Sequence, residues 1–278
     1  MDFPIRETIE KRHSVRTYAP RPLSEEDKEK LLRCRDGITN PFGIPVTIHL
    51  IETESAEQPK KLGTYGVIKG AGSFLGVVVP QALLGLEAAG YAMEELVLYA
   101  THLGLGTCWL AATLNREAFT QEMQVRDDEW MPAISPVGYP AEKRSLQERM
   151  MRGTMKSSQR KPWKELFFHE DFSTPLIPER AGDYVEALEL LRLAPSATNT
   201  QPWRVVMDHA AFHFYAVVGK AALAENPPAI QRVDTGIAAC HFHLAVKEKD
   251  LAGHFERQEP RSSGAPEGWR YLFSWVKG

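Results

Sequence analysis

The chain has 278 residues, 43% of them hydrophobic and 25% charged, with 20 Gly and 19 Pro, which excludes a disordered, collagenous or disulfide-scaffold protein and fits one large domain or two small ones. Lys and Arg number 33 against 36 Asp and Glu, a formal net charge of −3, so nucleic acid and anionic membrane are excluded as main partners and any phosphate site must be local. In chain order, Ser24 offers a hydroxyl N-cap ahead of Glu25, Glu26 and Asp27, predicting a helix that runs to about Arg35. Residues 46–52 alternate and are β-branched, predicting a strand. Residues 73–79 read as a buried strand inside the longest uncharged stretch, 70–86; its glycines and Pro80 make that stretch too broken, and its length too short, for a bilayer span. A helix is predicted over 94–103, where Leu96, Val97, Ala100 and Leu103 form one apolar stripe before Gly104. Residues 141–170 hold the one basic excess, Lys143, Arg144, Arg149, Arg152, Lys156, Arg160, Lys161 and Lys164 against four Glu. Helices are then predicted over 183–192 and 236–247, with strands over 203–207 and 212–218.

A self-comparison shows a chain built twice. Leu31, Leu32, Arg33, Thr39, Asn40 and Val46 recur as Leu190, Leu191, Arg192, Thr198, Asn199 and Val205 at a constant offset of 159 (190 − 31). Gly90, Ala92, Leu98 and Leu105 recur as Gly236, Ala238, Leu244 and Leu251 at an offset of 146 (236 − 90). We therefore expect two related halves, 1–165 and a shorter 166–278, forming one integrated unit.

Two stretches stand out chemically. Arg12-His13-Ser14-Val15-Arg16 puts two guanidiniums, an imidazole and a hydroxyl within five residues, enough to grip a phosphate through charge-assisted bonds, although a solvated basic turn after a short amphipathic helix explains it as well. Residues 194–203, APSATNTQPW, combine small residues, hydroxyls, amides and two prolines where a flat polar ligand is approached by main chain; an ordinary helix-to-strand loop is the plain alternative.

Together with Leu103-Gly104-Leu105-Gly106-Thr107-Cys108-Trp109 and Val137-Gly138-Tyr139-Pro140, these stretches resemble the FMN-dependent nitroreductase family. The PSxxNxQPW-like segment lies only in the second half, and its counterpart in the first reads DGITNPFGI, so the chain looks like the fused subgroup. The resemblance implies an α+β fold of mixed β-sheets flanked by helices, with two structurally related halves packed as an intramolecular pseudo-dimer. It further implies an FMN held by Arg12, His13, Ser14 and Arg16 from one half and by Pro195, Ser196, Ala197, Asn199 and Gln201 from the other. Lys69 stands where the family places a cation near flavin N1 and O2, where it would stabilise the anionic reduced ring. The backbone of Leu110, Ala111 and Ala112 would pass flavin N5, and Arg160 or Lys161 would join the phosphate. Shifting residues 12–16 by 159 lands on Asp171-Phe172-Ser173-Thr174-Pro175, without either arginine and with an acid; one flavin per chain is therefore expected.

There is no dinucleotide fingerprint, GxxxxGK[ST] or GxSxG. Cys240-His241-Phe242-His243 lies on an apolar helix and is read as packing, with no metal site. Cys34, Cys108 and Cys240 lie far apart without a CxxC, and the charged start lacks a signal peptide, so a cytoplasmic setting is expected. The expected function is an oxidoreductase in which NAD(P)H reduces FMN and the flavin reduces a small nitroaromatic or quinone-like acceptor. The chain would be a monomer or weak homodimer without nucleic-acid or membrane partners. A flavin-binding protein without catalysis, or an FMN-free pseudo-enzyme of the same fold, is the alternative.

Overall fold

The computed structural model describes residues 3–53, 62–142, 159–218, 229–258 and 264–278. These form two compact units. The first comprises Met1–Thr39, Ile44–Gly85 and Ala92–Ser158, and the second Asn40–Gly43, Leu86–Tyr91 and Gln159–Gly278. Of the basic stretch, Lys143, Arg144, Arg149, Arg152 and Lys156 lie outside the described residues.

The first unit is built on an antiparallel sheet of β1 (Thr47–Glu52), β2 (Ser73–Pro80), β3 (Gly106–Thr107), β4 (Glu129–Trp130) and β5 (Ile134–Gly138), in the order β1-β2-β5-β3 with β4 also on β2. β2 is the continuous apolar run of the sequence. Seven of its eight residues are buried, as a central strand covered on both faces requires. With Ile51, Cys108, Leu110, Leu114, Phe119, Met123, Met131 and Ile134, its Phe74 and Val78 make one apolar cluster. The unit's helices are α1 (Ile5–Lys11), α2 (Glu25–Gly37), most of α3 (Gly85–His102), whose Leu86–Tyr91 belongs to the second unit, and α4 (Arg116–Glu122). Ser24 caps α2 as expected, accepting from the Asp27 N–H.

α3 begins at Gly85, well before the predicted start at 94. Gly85 and Gly90 weaken the local helix signal, and packing overrides it. A Cβ on Gly90 would lie 2.1 Å from the Val233 carbonyl oxygen, and one on Gly236 would lie 2.1 Å from that of Glu87. These two contacts, both inside the second unit, are reciprocal: adding 146 to Glu87 gives Val233, and adding it to Gly90 gives Gly236.

The second unit carries a mixed sheet, β6-β7-β8-β10-β9, of β6 (Phe167–His169), β7 (Trp203–Met207), β8 (Ala211–Val217), β9 (Gly253–Glu256) and β10 (Trp269–Lys277); only β6 and β7 pair in parallel. Its helices are α5 (Trp163–Leu166), α6 (Pro178–Ala181), α7 (Val185–Arg192) and α8 (Ile230–Glu248). α8 packs on α7 and on β7 and β8. Buried Arg232 near its start makes a bidentate ion pair with buried Glu87, 2.6 and 2.8 Å long, and Phe242 packs among Phe212, Phe214, Phe255 and Trp275. Cys34, Cys108 and Cys240 are buried thiols. Among the described residues no helix is long and apolar enough to cross a membrane.

Candidate functional site

The basic segment leaves α1 and runs extended through the first unit, held by main chain on every side. Val15 N–H donates to Thr107 O (2.8 Å), Lys69 N–H to Arg16 O (2.9 Å), Tyr18 N–H to Lys69 O (2.9 Å) and Ala19 N–H to Tyr139 O (2.9 Å). Ser14 bridges Thr107, Thr17 bridges Lys69, and Tyr18 bridges Pro140. Four separated stretches of sequence, 14–19, 69–70, 106–107 and 139–140, thus meet along a few residues of chain.

The glycines of these stretches have steric reasons. A Cβ on Gly106 would sit 2.8 Å from Val15 Cβ, and Gly70, at φ +77°, brings its Cα so close to the Tyr18 carbonyl that a Cβ would lie 2.5 Å from the oxygen. Tyr139 has an anchoring role: its hydroxyl donates to Asp27 Oδ2 (2.5 Å) and its ring lies 3.7 Å beneath the Arg21 guanidinium. That hydrogen bond, the largest influence on Asp27, lowers the carboxyl below its ordinary value.

Charge along this segment is unevenly balanced. Arg12 faces Glu94, with Nε 3.9 Å from Oε1, and both side chains are almost fully buried; Arg12 Nε makes no hydrogen bond. Trp109 Nε1 donates to the other Glu94 oxygen at 2.6 Å. Arg16 is also buried, whereas His13 and Lys69 are exposed and Ser14 is half-buried. This donor set, two guanidiniums and a hydroxyl on a rigid backbone, suits an oxyanion such as a phosphate. Leu110 uses both its backbone groups on Ile134, at 2.8 and 2.9 Å, and the Ala111 carbonyl accepts from Arg116 Nη2 at 2.6 Å, which leaves Ala112 as the exposed end of that turn.

In the second unit, the predicted loop is a strained turn between α7 and β7. Thr198, Asn199 and Gln201 have φ of +49°, +59° and +48°, conformations that cost a non-glycine residue about 1–3 kcal/mol each and persist only when surroundings impose them. Gln201 N–H donates to Ser196 Oγ (2.8 Å), the Gln201 side chain accepts from Lys161 N–H (2.7 Å), and Gln201 O accepts from Arg204 Nη1 (3.0 Å). Arg160 Nη2 donates to Leu193 O (2.9 Å) and its Nη1 lies 3.4 Å from Asn199 Oδ1. Arg160 and Lys161 therefore both belong to the loop's framework together with Ser196, Asn199 and Gln201. Burial, followed by repulsion from Arg204, lowers the Lys161 ammonium below its ordinary value.

The segment 159 residues after the basic one (171 − 12), residues 171–175, is closed on itself by its acid. Asp171 Oδ1 accepts from the N–H groups of Thr174 (2.6 Å) and Ser173 (2.7 Å), which with the two hydroxyls pull its carboxyl down to about 2. The donors of this turn are thus occupied by an internal carboxylate. His241 Nδ1 lies 3.0 Å from Leu190 O and His243 Nδ1 2.7 Å from the Tyr91 hydroxyl.

A family model described as "Putative TM nitroreductase" matches residues 4–246. The chain belongs to this nitroreductase family. Among solved structures, a "putative nitroreductase" from Thermotoga maritima is 20% identical with a TM-score of 0.63, over 99% of this chain and 94% of that one, so the nitroreductase fold extends along the whole length. A nitroreductase with bound FMN from Bacteroides fragilis is 17% identical with a TM-score of 0.38, over 52% of this chain and 92% of its own. An FMN-dependent nitroreductase from Clostridium difficile is 17% identical with a TM-score of 0.40, over 50% and 88%. Among curated proteins none matches.

Two residues of this nitroreductase chain escape sequence reasoning. Glu94 reads from the sequence only as a helix start, yet it is the buried partner of Arg12 and Trp109. Asp234 lies within the first turns of α8, and its Oδ1 accepts from Ala197 N–H at 3.0 Å. The available signal is an acid set among apolar helical neighbours, which implies burial and hence a partner.

Proposed function

We propose that this nitroreductase-family chain is a flavin oxidoreductase that binds one FMN, takes reducing equivalents from NAD(P)H and delivers them to a small nitroaromatic or quinone-like acceptor. When bound, FMN supplies the redox chemistry; the protein supplies binding and charge. In this reading Arg12, Ser14 and Arg16, with His13 beside them, hold the phosphate, Lys69 presents a cation to the reduced ring, and Ala111 and Ala112 approach it by main chain. Pro195, Ser196, Ala197, Asn199 and Gln201, framed by Arg160 and Lys161, are the second unit's own flavin-contact candidates. The observation that carries the reading is the assembly of residues 12–16, Lys69 and Gly106-Thr107 on one backbone-bonded run. The reciprocal glycine contacts at a shared offset of 146 support a duplicated origin, since isologous packing makes residue i meet j and j meet i. We further propose a cytoplasmic monomer or weak homodimer.

A second reading, the same fold binding flavin without turnover or binding none, draws on Glu94 offsetting Arg12 and on the Ala111 carbonyl already engaged by Arg116. Flavin titration and NADPH oxidation with menadione or nitrofurazone separate the two. A yellow protein with one FMN per chain and acceptor-dependent turnover is expected. Two FMN per chain overturns the single-site model, and a chain that takes up no FMN overturns the flavin reading.

A further inference from the structure

Arg12 is buried in the first unit without being fully paired. Its side chain is 7% exposed, and its Nε is sealed from solvent and makes no hydrogen bond. The carboxylate that faces it, Glu94 on α3, has its Oε1 3.9 Å from that nitrogen, beyond hydrogen-bond reach. A buried N–H of a cation without an acceptor is costly. Glu94 therefore offsets the charge of Arg12 and leaves the Nε donor unused.

Trp109 is what holds the carboxylate at that distance. Its Nε1 donates to Glu94 Oε2 at 2.6 Å, and the tryptophan is itself fixed from both sides. Cys108 N–H donates to Ser135 Oγ at 2.9 Å, and Leu110 exchanges two main-chain bonds with Ile134, so the backbone around Trp109 is tied to β5. The contrast with Asp171 is direct. There an internal carboxylate accepts N–H groups at 2.6 and 2.7 Å and closes its own turn. At Arg12 the internal carboxylate is held off, and Nε stays open to an external oxyanion.

We infer that Glu94 is a specificity-determining counter-charge: restrained by Trp109, it stabilises Arg12 in the ligand-free chain and opposes any anion that Arg12 takes up, so that it sets the affinity for phosphate and leaves the uncharged part of a ligand unaffected. Two like charges about 8 Å apart at an effective dielectric of about 20 repel enough to change an affinity at least about tenfold. Removing the charge of Glu94 should therefore tighten phosphate binding, while the ligand-free fold loses stability that a bound anion restores. For a phosphate carried by FMN, the inference rests on the function proposed above; for inorganic phosphate it rests on the geometry around Arg12.

The test compares the parent chain with Glu94→Gln, which keeps an acceptor for Trp109, and with Trp109→Phe, which keeps a ring and frees the carboxylate to close on Arg12. Inorganic phosphate is titrated as protection of the urea midpoint against chloride at matched ionic strength, and FMN and riboflavin are titrated by flavin fluorescence quenching. Glu94→Gln should unfold at lower urea without phosphate, bind phosphate and FMN about tenfold more tightly, and bind riboflavin as the parent does. Trp109→Phe should bind phosphate and FMN several-fold more weakly, with the loss for FMN exceeding any loss for riboflavin; this variant decides if Glu94→Gln does not fold. Unchanged or weaker phosphate binding in Glu94→Gln, unchanged or tighter phosphate binding in Trp109→Phe, or no phosphate protection in any chain overturns the inference. If no chain binds either flavin, the flavin reading fails, while the phosphate titration still decides for or against the counter-charge.

Discussion

Arg12 and Arg16 are close in sequence but differ in setting. Arg12 faces a buried counter-charge in Glu94, whereas Arg16 lies under the main chain that links it to Lys69. A charge-assisted hydrogen bond contributes about 1.5–3 kcal/mol, so Arg16→Ala should weaken FMN about 10- to 100-fold in a flavin titration. Arg12→Ala should do the same and also remove the charge that faces buried Glu94, lowering the urea midpoint as well as the affinity. Ser173→Ala, in the carboxylate-filled counterpart turn, should leave FMN affinity unchanged; an equal loss there would remove the asymmetry on which the single site rests. The arginines were legible because a basic cluster is visible from composition alone. Glu94 and Asp234 were not, because their meaning comes from partners 82 and 37 residues away (94 − 12 and 234 − 197).

At the scale of elements, the places where helices touch decide the sign of ordinary substitutions. Glycine to alanine inside a helix normally stabilises by roughly 0.5–1 kcal/mol. Gly37→Ala, at the end of α2 with open space around it, should raise the melting temperature accordingly. Gly90→Ala should lower it by the equivalent of about 1–3 kcal/mol, as overpacking does, because its methyl group meets a backbone carbonyl that has no rotamer to escape into. Calorimetry on the two variants checks the contrast; a stabilised Gly90→Ala would contradict the close contact. Strands with clear alternation or continuous apolar runs, β1, β2, β7 and β8, were legible within a residue at each end. β9 and β10 were not, since β10 mixes Arg270, Ser274 and Lys277 with its aromatics and bulges between Tyr271 and Phe273, which breaks the two-residue period that marks a strand.

For the molecule as a whole, two buried groups set opposite slopes of stability against pH. Burial, then Lys247, pulls the His243 imidazole from 6.5 down to about 3, so the unfolded chain binds more protons between those values and stability falls as pH drops through that window. Asp234, raised from 3.8 to about 8, is the reverse: the folded chain holds the extra proton, and its contribution, full below 3.8, is lost as pH climbs toward about 8. Urea midpoints should therefore decline on both sides of mid-range. His243→Phe, which keeps the ring packing against Phe255 and Trp275, should flatten the acid limb at the cost of the Tyr91 hydrogen bond, about 1 kcal/mol. An unchanged acid limb would assign that slope to other groups. The turn at 198–201 has one more consequence, for the speed of encounter. Glycine-free and already bent, it has little folding left to do when a ligand arrives. Arrival should be limited by diffusion, and discrimination between rival ligands should then reside in how long each one lingers.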